Sequence, residues 1–189
     1  MKELSEPSAL FLFENDIERE FLEDDKTPLV VWLNDNKERF PWVYFEEEVE
    51  TAKKNKHIFY ILKENDCIIG YVKIGIGINY IHDFKKKIRF PEETAFIYDT
   101  FVMPEYRGKK LALFSLYDIF IYLRNKKIKK IICHIEKWNK PSIRVFENAG
   151  FRMFENIRFV RVAWFSLFLR NKMSPFFDFE KYLRGVCLR

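Results

Sequence analysis

The pattern of apolar and polar positions divides the chain into short periodic segments, each of which predicts one helix or strand. Apolar residues at intervals of three and four predict amphipathic helices, whereas β-branched and aromatic runs bounded by turn residues predict strands. In the first half of the chain these patterns predict two helices, an antiparallel hairpin and a long connection: helices over 8–22 and 43–54, strands over 57–62 and 67–76, and the connection over 79–93.

The second half of the chain alternates strands with helices. Residues 111–123 are apolar almost all round, so we expect a helix that is covered on several sides. Asn139 and Pro141 are typical of a helix start, and Gly150 is typical of a helix end. The predicted elements are a strand over 95–103, the helix over 111–123, a strand over 131–136, a helix between Asn139 and Gly150, and one or two strands within 151–169.

A hairpin followed by alternating strands and helices is typical of a mixed sheet, and the predicted fold class is therefore α/β (α+β). At 189 residues the chain has the size of one domain, and 6 Gly and 7 Pro are too few for a long flexible linker. We predict a single domain over 1–189, with N-terminal helices over 1–56, a core over 57–169 and a tail over 170–189.

Composition excludes several classes of protein. With 48% hydrophobic and 18% aromatic residues the chain is too apolar for intrinsic disorder. No stretch reaches the roughly 18 uncharged apolar residues of a membrane span, and the first residues do not form a secretory signal, so we expect neither. Cys67, Cys133 and Cys187 lie far apart and predict no disulfide framework and no metal site. We therefore expect a cytoplasmic protein.

The net charge of +5 is unevenly distributed along the chain. Residues 1–50 contain 5 Lys and Arg against 15 Asp and Glu, so the remaining residues contain 28 against 13. The basic part favours an anionic partner such as nucleic acid, a membrane surface or a phosphorylated cofactor, and the acidic part suggests shielding or a cationic substrate. The lysine clusters at 85–87 and 126–130 are most simply interpreted as solvated surface.

One strand-to-helix junction carries the clearest chemistry. The strand over 95–103 runs into the basic segment Arg107-Gly108-Lys109-Lys110 and directly into the apolar helix. The first N–H groups of a helix have no intrahelical acceptor, and the helix dipole adds positive charge there. Gly108 allows a ligand to approach the backbone closely. The junction therefore predicts a binding site for an anion, and a pyrophosphate fits it.

Two segments of the sequence resemble a known family. VMPEYRGKKLA (102–112), followed about 30 residues later by KWNKPSIRVFENAGF (137–151), is similar to the two signature blocks of the GCN5-related N-acetyltransferase (GNAT) superfamily. The resemblance covers residues 67–159. It implies a mostly antiparallel sheet, flanked by helices and splayed at the cosubstrate site, and acetyl-CoA as cosubstrate. The cosubstrate-binding residues that it implies are Phe101, Val102, Arg107, Gly108, Lys109, Lys110, Leu111, Ala112, Asn139 and Ser142.

The sequence departs from the family pattern at two positions. Lys110 replaces the middle glycine of the first block, where it either crowds the turn or adds a cation. Phe146 replaces the tyrosine that acts as general acid in many members, and a phenyl ring has no proton to donate. For the acid, either Tyr98 or a water serves, the thiolate leaves unprotonated, or catalysis is lost. The candidates for the general base are Asp99 on one predicted strand, and His134 and Glu136 on the next, where alternation would place both side chains on one face.

Structural interpretations compete with the catalytic ones. Asp99 is also explained as a sheet carboxylate paired with a lysine, and His134 as a histidine that only satisfies its hydrogen bonds within the sheet. The aromatic residues over 164–179 are interpreted as packing of the last strand or as a homodimer contact, with attachment to a membrane surface as a minority interpretation.

The resemblance implies an acetyl-CoA-dependent N-acetyltransferase in which an amine attacks the thioester directly. The alternative is a degenerate member that binds CoA or a protein without catalysis, and a third hypothesis is a binder of nucleic acid or anionic membrane. We expect a small or medium amine-bearing acceptor and no nucleic-acid partner. Residues 29–45 are expected to contribute to the acceptor pocket. Polyamines, aminosugars, amino acids and protein amines all stay open as acceptors.

Overall fold

The structure, a computed structural model, describes residues 17–39, 46–81, 86–153, 155–162 and 165–172. A short 3-10 helix, Pro104–Tyr106, follows the sixth strand. The other elements in chain order are β1 (Ile17–Leu22), α1 (Thr27–Asp35), α2 (Glu46–Lys54), β2 (Ile58–Glu64), β3 (Cys67–Ile76), β4 (Ile78–Ile81), β5 (Lys86–Arg89), β6 (Thr94–Val102), α3 (Leu111–Asn125), β7 (Lys130–Cys133), α4 (Lys140–Asn148), β8 (Glu155–Val162) and β9 (Phe165–Lys172).

Five of these strands form one sheet in the order β1-β2-β3-β6-β7. The first three pairings are antiparallel, and β6 pairs with β7 in parallel after the crossover through α3. The hairpin of β4 and β5 and the hairpin of β8 and β9 form two further small sheets. The prediction of a mixed, mostly antiparallel sheet with flanking helices is confirmed.

The central sheet separates two apolar clusters. On one face, β2, β3 and β6 pack against α3 through residues such as Leu116 and Ile119, which are fully buried. On the other face, β2 and β3 pack against α1 through Leu29 and Leu33, which lie one helical turn apart. We call these the α3 face and the α1 face of the sheet. A ligand bound between β6 and β7 would therefore contact different elements on each side.

The first strand corrects the prediction of a helix over 8–22. Ile17–Leu22 is an edge strand that pairs with β2, while residues 8–16 lie outside the described part of the chain. The ring of Phe21 stacks on that of Tyr122 in α3, with centroids 3.9 Å apart. The apolar residues of this strand, Ile17, Phe21 and Leu22, lie four and one residues apart, a spacing that one face of a helix also has.

Two further predictions need correction. The predicted connection over 79–93 contains the β4–β5 hairpin, in which Tyr80 lies opposite Lys87. The predicted strand over 131–136 ends at Cys133, so His134 and Glu136 follow the strand. No described helix is long and apolar enough to cross a membrane.

The other helix and strand predictions agree with the structure within a few residues. The predicted hairpin corresponds to β2 and β3, and the predicted strand over 95–103 corresponds to β6. Gly150, with φ of +92°, lies just after the end of α4, as expected of a helix-terminating glycine. Within 151–169 one or two strands were predicted, and the structure has two, β8 and β9, the second of which extends to Lys172.

Candidate functional site

The turn between β6 and α3 presents main-chain N–H groups at a helix start. Gly108 has φ of +81° and Lys110 has φ of +60°, so the chain turns sharply before α3 begins at Leu111. The first hydrogen bond of α3 runs from the Phe114 N–H to the Lys110 carbonyl at 3.1 Å. The N–H groups of residues 111–113 therefore precede the helical ladder and suit an anion.

The basic side chains of this turn occupy different surroundings. The Arg107 Nε donates to the Val102 carbonyl at 3.0 Å, and the Lys109 ammonium lies 5.2 Å from the centre of the Tyr106 ring. Lys110 is exposed. A Cβ built on Gly108 would meet no protein atom within 4 Å, so the main chain is open to a ligand at that point. The start of α3 thus combines open space beside the main chain with nearby positive charge.

The parallel strands β6 and β7 separate before β6 reaches this turn. The ladder of β6 and β7 ends at the pair Ile97 and Cys133, whereas β6 continues to Val102. We call the opening between the strands beyond this last pair the splay. The structure places Phe101 and Val102, two of the predicted cosubstrate residues, on the part of β6 that borders the splay.

A β-bulge at the start of the splay brings two predicted catalytic residues to one face. In the register of β3 with β6, Lys73 lies opposite Asp99 and Ile74 lies opposite Ile97, which leaves Tyr98 as the extra residue. The Tyr98 hydroxyl is 3.4 Å from the Nδ1 of His57, and Tyr98 packs against the cluster of the α1 face. Regular alternation would have placed Tyr98 and Asp99 on opposite faces.

Asp99 lies in a hydrogen-bonded pair with a buried cation. Its Oδ2 accepts a hydrogen bond from the Tyr71 hydroxyl at 3.0 Å and lies 3.2 Å from the Lys73 ammonium. The Lys73 side chain is 3% exposed and that of Asp99 is 24% exposed. The ammonium stabilises the ionised carboxylate, and the carboxylate retains an exposed part. Asp99 is therefore an anion that a bound amine can reach.

Three aromatic rings pack together on the α1 face, and the hydroxyl of one of them, Tyr71, donates to this carboxylate. Ring centroids are 5.8 Å apart for Tyr71 and Phe101, 6.1 Å for Trp32 and Tyr71, and 6.4 Å for Trp32 and Phe101. Trp32 lies in the segment 29–45 that the sequence predicted to contribute to the acceptor pocket, of which residues 40–45 lie outside the described part. We call Trp32, Tyr71, Phe101 and Asp99 the aromatic-carboxylate cluster.

Sequence reasoning missed several residues of this region. His57, Tyr71 and Lys73 were interpreted only as strand residues, and their partners lie on β6. A buried lysine at an otherwise apolar strand position was the one available signal, because a buried ammonium needs a partner.

The second signature block forms the start of α4. The Asn139 Oδ1 accepts a hydrogen bond from the Ser142 N–H at 3.2 Å, which caps the helix as predicted. Phe146 is 5% exposed and packs against the ring of Phe151, with centroids 5.0 Å apart. Phe146, which stands where many proteins with this signature have a tyrosine, is therefore a core residue.

His134 and Glu136 lie in the segment between β7 and α4. The Glu136 carbonyl accepts a hydrogen bond from the Asn139 N–H at 2.9 Å, which forms a turn ahead of α4. The strand alternation that would pair their side chains does not apply beyond Cys133. Tyr98 and Asp99 are thus the candidates that β6 itself places at the splay, and the roles of all four residues stay predictions.

Cys133, at the start of the splay, is expected to resist alkylation. Burial raises the pKa of its thiol to about 12, so at pH 8 about one molecule in ten thousand carries the thiolate. Cys67 is exposed. We expect iodoacetamide at pH 8 to modify Cys67 in the folded protein and Cys133 only after denaturation, as peptide mass mapping will show. Early modification of Cys133, which is half-buried, would contradict the raised pKa of its thiol.

The fold agrees with comparisons to known proteins. A model of the acetyltransferase (GNAT) family matches residues 13–151. The chain is similar to the aminoglycoside N-acetyltransferase AAC(6')-Iy in complex with CoA, with a TM-score of 0.58 and 18% identity, over 80% of this chain and 99% of that one. No curated protein sequence matches the chain.

Two other solved structures share the fold. One is the aminoglycoside acetyltransferase meta-AAC0020 from an uncultured soil metagenomic sample in complex with trehalose, with a TM-score of 0.56 and 13% identity, over 80% of this chain and 96% of that one. The other is the GNAT family acetyltransferase SP0256 from Streptococcus pneumoniae TIGR4, with a TM-score of 0.51 and 15% identity, over 73% of this chain and 89% of that one.

Proposed function

The chain belongs to the acetyltransferase (GNAT) family, and on that premise we propose that it transfers the acetyl group of acetyl-CoA to the amine of an acceptor. The observation that carries the proposal is the position of the basic turn. It lies at the start of α3, separated from the strand that borders the splay by the short 3-10 helix. A phosphorylated cosubstrate held at the turn has its acyl end directed along the splay.

The residues of the turn fit the phosphates of such a cosubstrate. The N–H groups of residues 111–113 and the ammonium groups of Lys109 and Lys110 supply hydrogen-bond donors and positive charge. Gly108 leaves open space for an approaching phosphate. We propose that the main chain of Phe101 and Val102 binds the pantetheine arm and polarises the thioester carbonyl, which makes it more electrophilic. Ser142 and the Asn139 amide complete the proposed cosubstrate site.

A proton must leave the acceptor ammonium before the amine can attack. Asp99 is our proposed proton acceptor because its carboxylate is ionised, partly exposed and positioned beside the splay. Tyr98 is the second candidate, since His57 Nδ1 lies 3.4 Å from its hydroxyl and would accept its proton. Phe146 supplies no acid for the departing thiolate, which we propose leaves unprotonated or takes a proton from water.

Two measurements test the proposal. Isothermal titration calorimetry with acetyl-CoA is expected to show micromolar binding. Turnover with a panel of amines, followed by the release of free CoA and the mass of the product, is expected to identify an acetylated amine. Absence of acetyl-CoA binding would contradict the proposal. Binding without turnover of any amine would instead support the alternative of a non-catalytic CoA-binding protein. The presence of Phe146 in place of the usual tyrosine favours that alternative.

Lys110 is expected to contribute a cation to cosubstrate binding rather than to crowd the turn. Its φ of +60° is a strained conformation for a non-glycine residue. Proteins with this signature usually have glycine at the same position. We expect Lys110→Gly to raise the dissociation constant of acetyl-CoA about fivefold at low salt, the upper range for one exposed charge pair at about 1 kcal/mol, and less at high salt.

Lys110→Met is the matched control, because it removes the charge but keeps a long side chain in the strained conformation. Both variants are expected to weaken binding equally. Tighter binding by Lys110→Gly than by the wild-type protein would show that the side chain crowds the turn. Stability of Lys110→Gly is expected to stay within about 1 kcal/mol of wild type, because the relief of strain offsets the entropy of glycine.

A further inference from the structure

The guanidinium of Arg107 lies beside Phe101, a residue of β6 on the α1 face. Its Cζ is 5.6 Å from the centre of the Phe101 ring, and its Nε donates to the Val102 carbonyl at 3.0 Å. Phe101 packs with Trp32 and Tyr71 on the α1 face. Because α3 covers the opposite face, the ring that the guanidinium contacts and the buried residues of α3 lie on different sides of the strand. The resemblance to the signature alone assigned Arg107 to the phosphates.

The terminal nitrogens of Arg107 remain available for a ligand. Within the described part of the chain, the recorded partners of its side chain are the Val102 carbonyl and the Phe101 ring. The residue is exposed. A guanidinium that is anchored through Nε and stacked on a ring keeps its two Nη groups in a fixed fork, which matches a carboxylate in two parallel hydrogen bonds.

The charged groups in contact with the aromatic-carboxylate cluster favour an acceptor that carries an anion beside its amine. The carboxylate of the aromatic-carboxylate cluster, Asp99, already faces the buried ammonium of Lys73 at 3.2 Å. The Lys73 ammonium also lies 5.5 Å from the centre of the Tyr71 ring, and the Arg107 guanidinium lies over Phe101. Tyr71 and Phe101 thus each have a cation nearby already. Of the two cations, Arg107 is the one that an anionic group of a ligand would pair with.

We propose that Arg107 binds a carboxylate of the acceptor, so that the acceptor is an amino-acid-like molecule with an apolar or aromatic body. This inference rests on the proposed N-acetyltransfer. The acceptor's apolar part packs against Trp32 and Phe101, and its amine faces Asp99. Two residues on the same face of a strand, such as Asp99 and Phe101, are about 6.6 Å apart, which suits an amine at the first and the apolar body of the same molecule at the second.

A matched pair of acceptors tests the proposal. L-Phenylalanine and 2-phenylethylamine share the ring and the amine and differ by the carboxylate. We expect the wild-type protein to prefer L-phenylalanine in kcat/KM by about 10- to 100-fold, the range for one charge-assisted pair. Arg107→Gln is expected to remove this preference, while the dissociation constant of acetyl-CoA stays within about twofold of wild type. Lys109→Gln is expected to show the reverse pattern.

The other outcomes separate this inference from the proposed function. An Arg107→Gln variant that binds acetyl-CoA weakly and keeps the preference would return Arg107 to the cosubstrate and overturn the inference. Acetylation of both amines at equal rates by the wild-type protein would overturn it as well, while the proposed function would stand. If neither amine is acetylated, calorimetric titration of the CoA-loaded protein with the same two amines decides. Equal affinities, or no binding of either amine, would overturn the inference. Tighter binding of L-phenylalanine that is lost in Arg107→Gln would support it.

Discussion

A Gly108→Val variant is expected to bind acetyl-CoA at least about 100-fold more weakly than the wild-type protein. Gly108 has φ of +81°, a conformation that a β-branched residue adopts only under strain. Relief of that strain changes the turn and redirects the N–H groups of residues 111–113, and the new side chain fills the space open to the phosphates. Two lost charge-assisted hydrogen bonds at about 1.5 kcal/mol each account for this factor. Isothermal titration calorimetry measures it.

Gly77→Val is the matched control for this substitution. Gly77 has φ of +72°, and a Cβ there would also meet no atom within 4 Å, but the residue lies between β3 and β4. Both variants are expected to lose about 1–3 kcal/mol of folding stability through backbone strain. Only the variant at Gly108 is expected to lose affinity. Equal losses of affinity in both, or unchanged affinity in Gly108→Val, would place the phosphates elsewhere.

The cosubstrate turn was predictable because its chemistry is local. The sharp turn at Gly108, the start of α3 and the cap that Asn139 provides for α4 each depend on residues within a few positions of one another. Helix starts have fixed geometry, so a strand followed by a glycine and an apolar helix already locates main-chain donors. The positive φ of Lys110 follows from the same turn, which explains why a glycine is usual there.

The aromatic-carboxylate cluster was not predictable in the same way. The partners of Asp99 are Tyr71 and Lys73 on β3, and their meeting depends on the register of two strands. The bulge at Tyr98 shifts that register by one residue and reverses the face expected from alternation. The apolar pattern of a single sequence contains no signal for a bulge. The sequence could therefore indicate Asp99 as a candidate but not its partners.

Long-range contacts also explain why β1 was predicted as a helix. Its attachment to the rest of the molecule includes an ion pair of Arg19 with Asp118 at 3.1 Å and the stacking of Phe21 on Tyr122. About 100 residues separate the partners in each contact, so periodicity within the strand carries little information. The β4–β5 hairpin was missed because its lysines resemble a solvated loop.

Removal of the Asp99 carboxylate is expected to lower kcat/KM for acetyl transfer by about 100- to 10,000-fold, the usual contribution of a general base. Asp99→Asn keeps the shape of the side chain and an oxygen for the Tyr71 hydroxyl, but it cannot accept a proton. The same change removes the carboxylate that lies 3.2 Å from the buried Lys73 ammonium. The single variant is therefore also expected to lose stability, by as much as about 3 kcal/mol.

A second variant separates catalysis from folding. The double variant Lys73→Met with Asp99→Asn removes both charges, and replacement of a buried ion pair by well-packed uncharged side chains is often neutral for stability. Its midpoint of thermal unfolding is expected to lie close to that of the wild-type protein, while its kcat/KM stays as low as that of Asp99→Asn. Lys73→Met alone is expected to keep most activity, because Asp99 retains its carboxylate and the Tyr71 hydrogen bond. A folded double variant with wild-type kcat/KM would instead limit Asp99 to its ion pair with Lys73, and substitutions at Tyr98, His134 and Glu136 would then locate the proton acceptor.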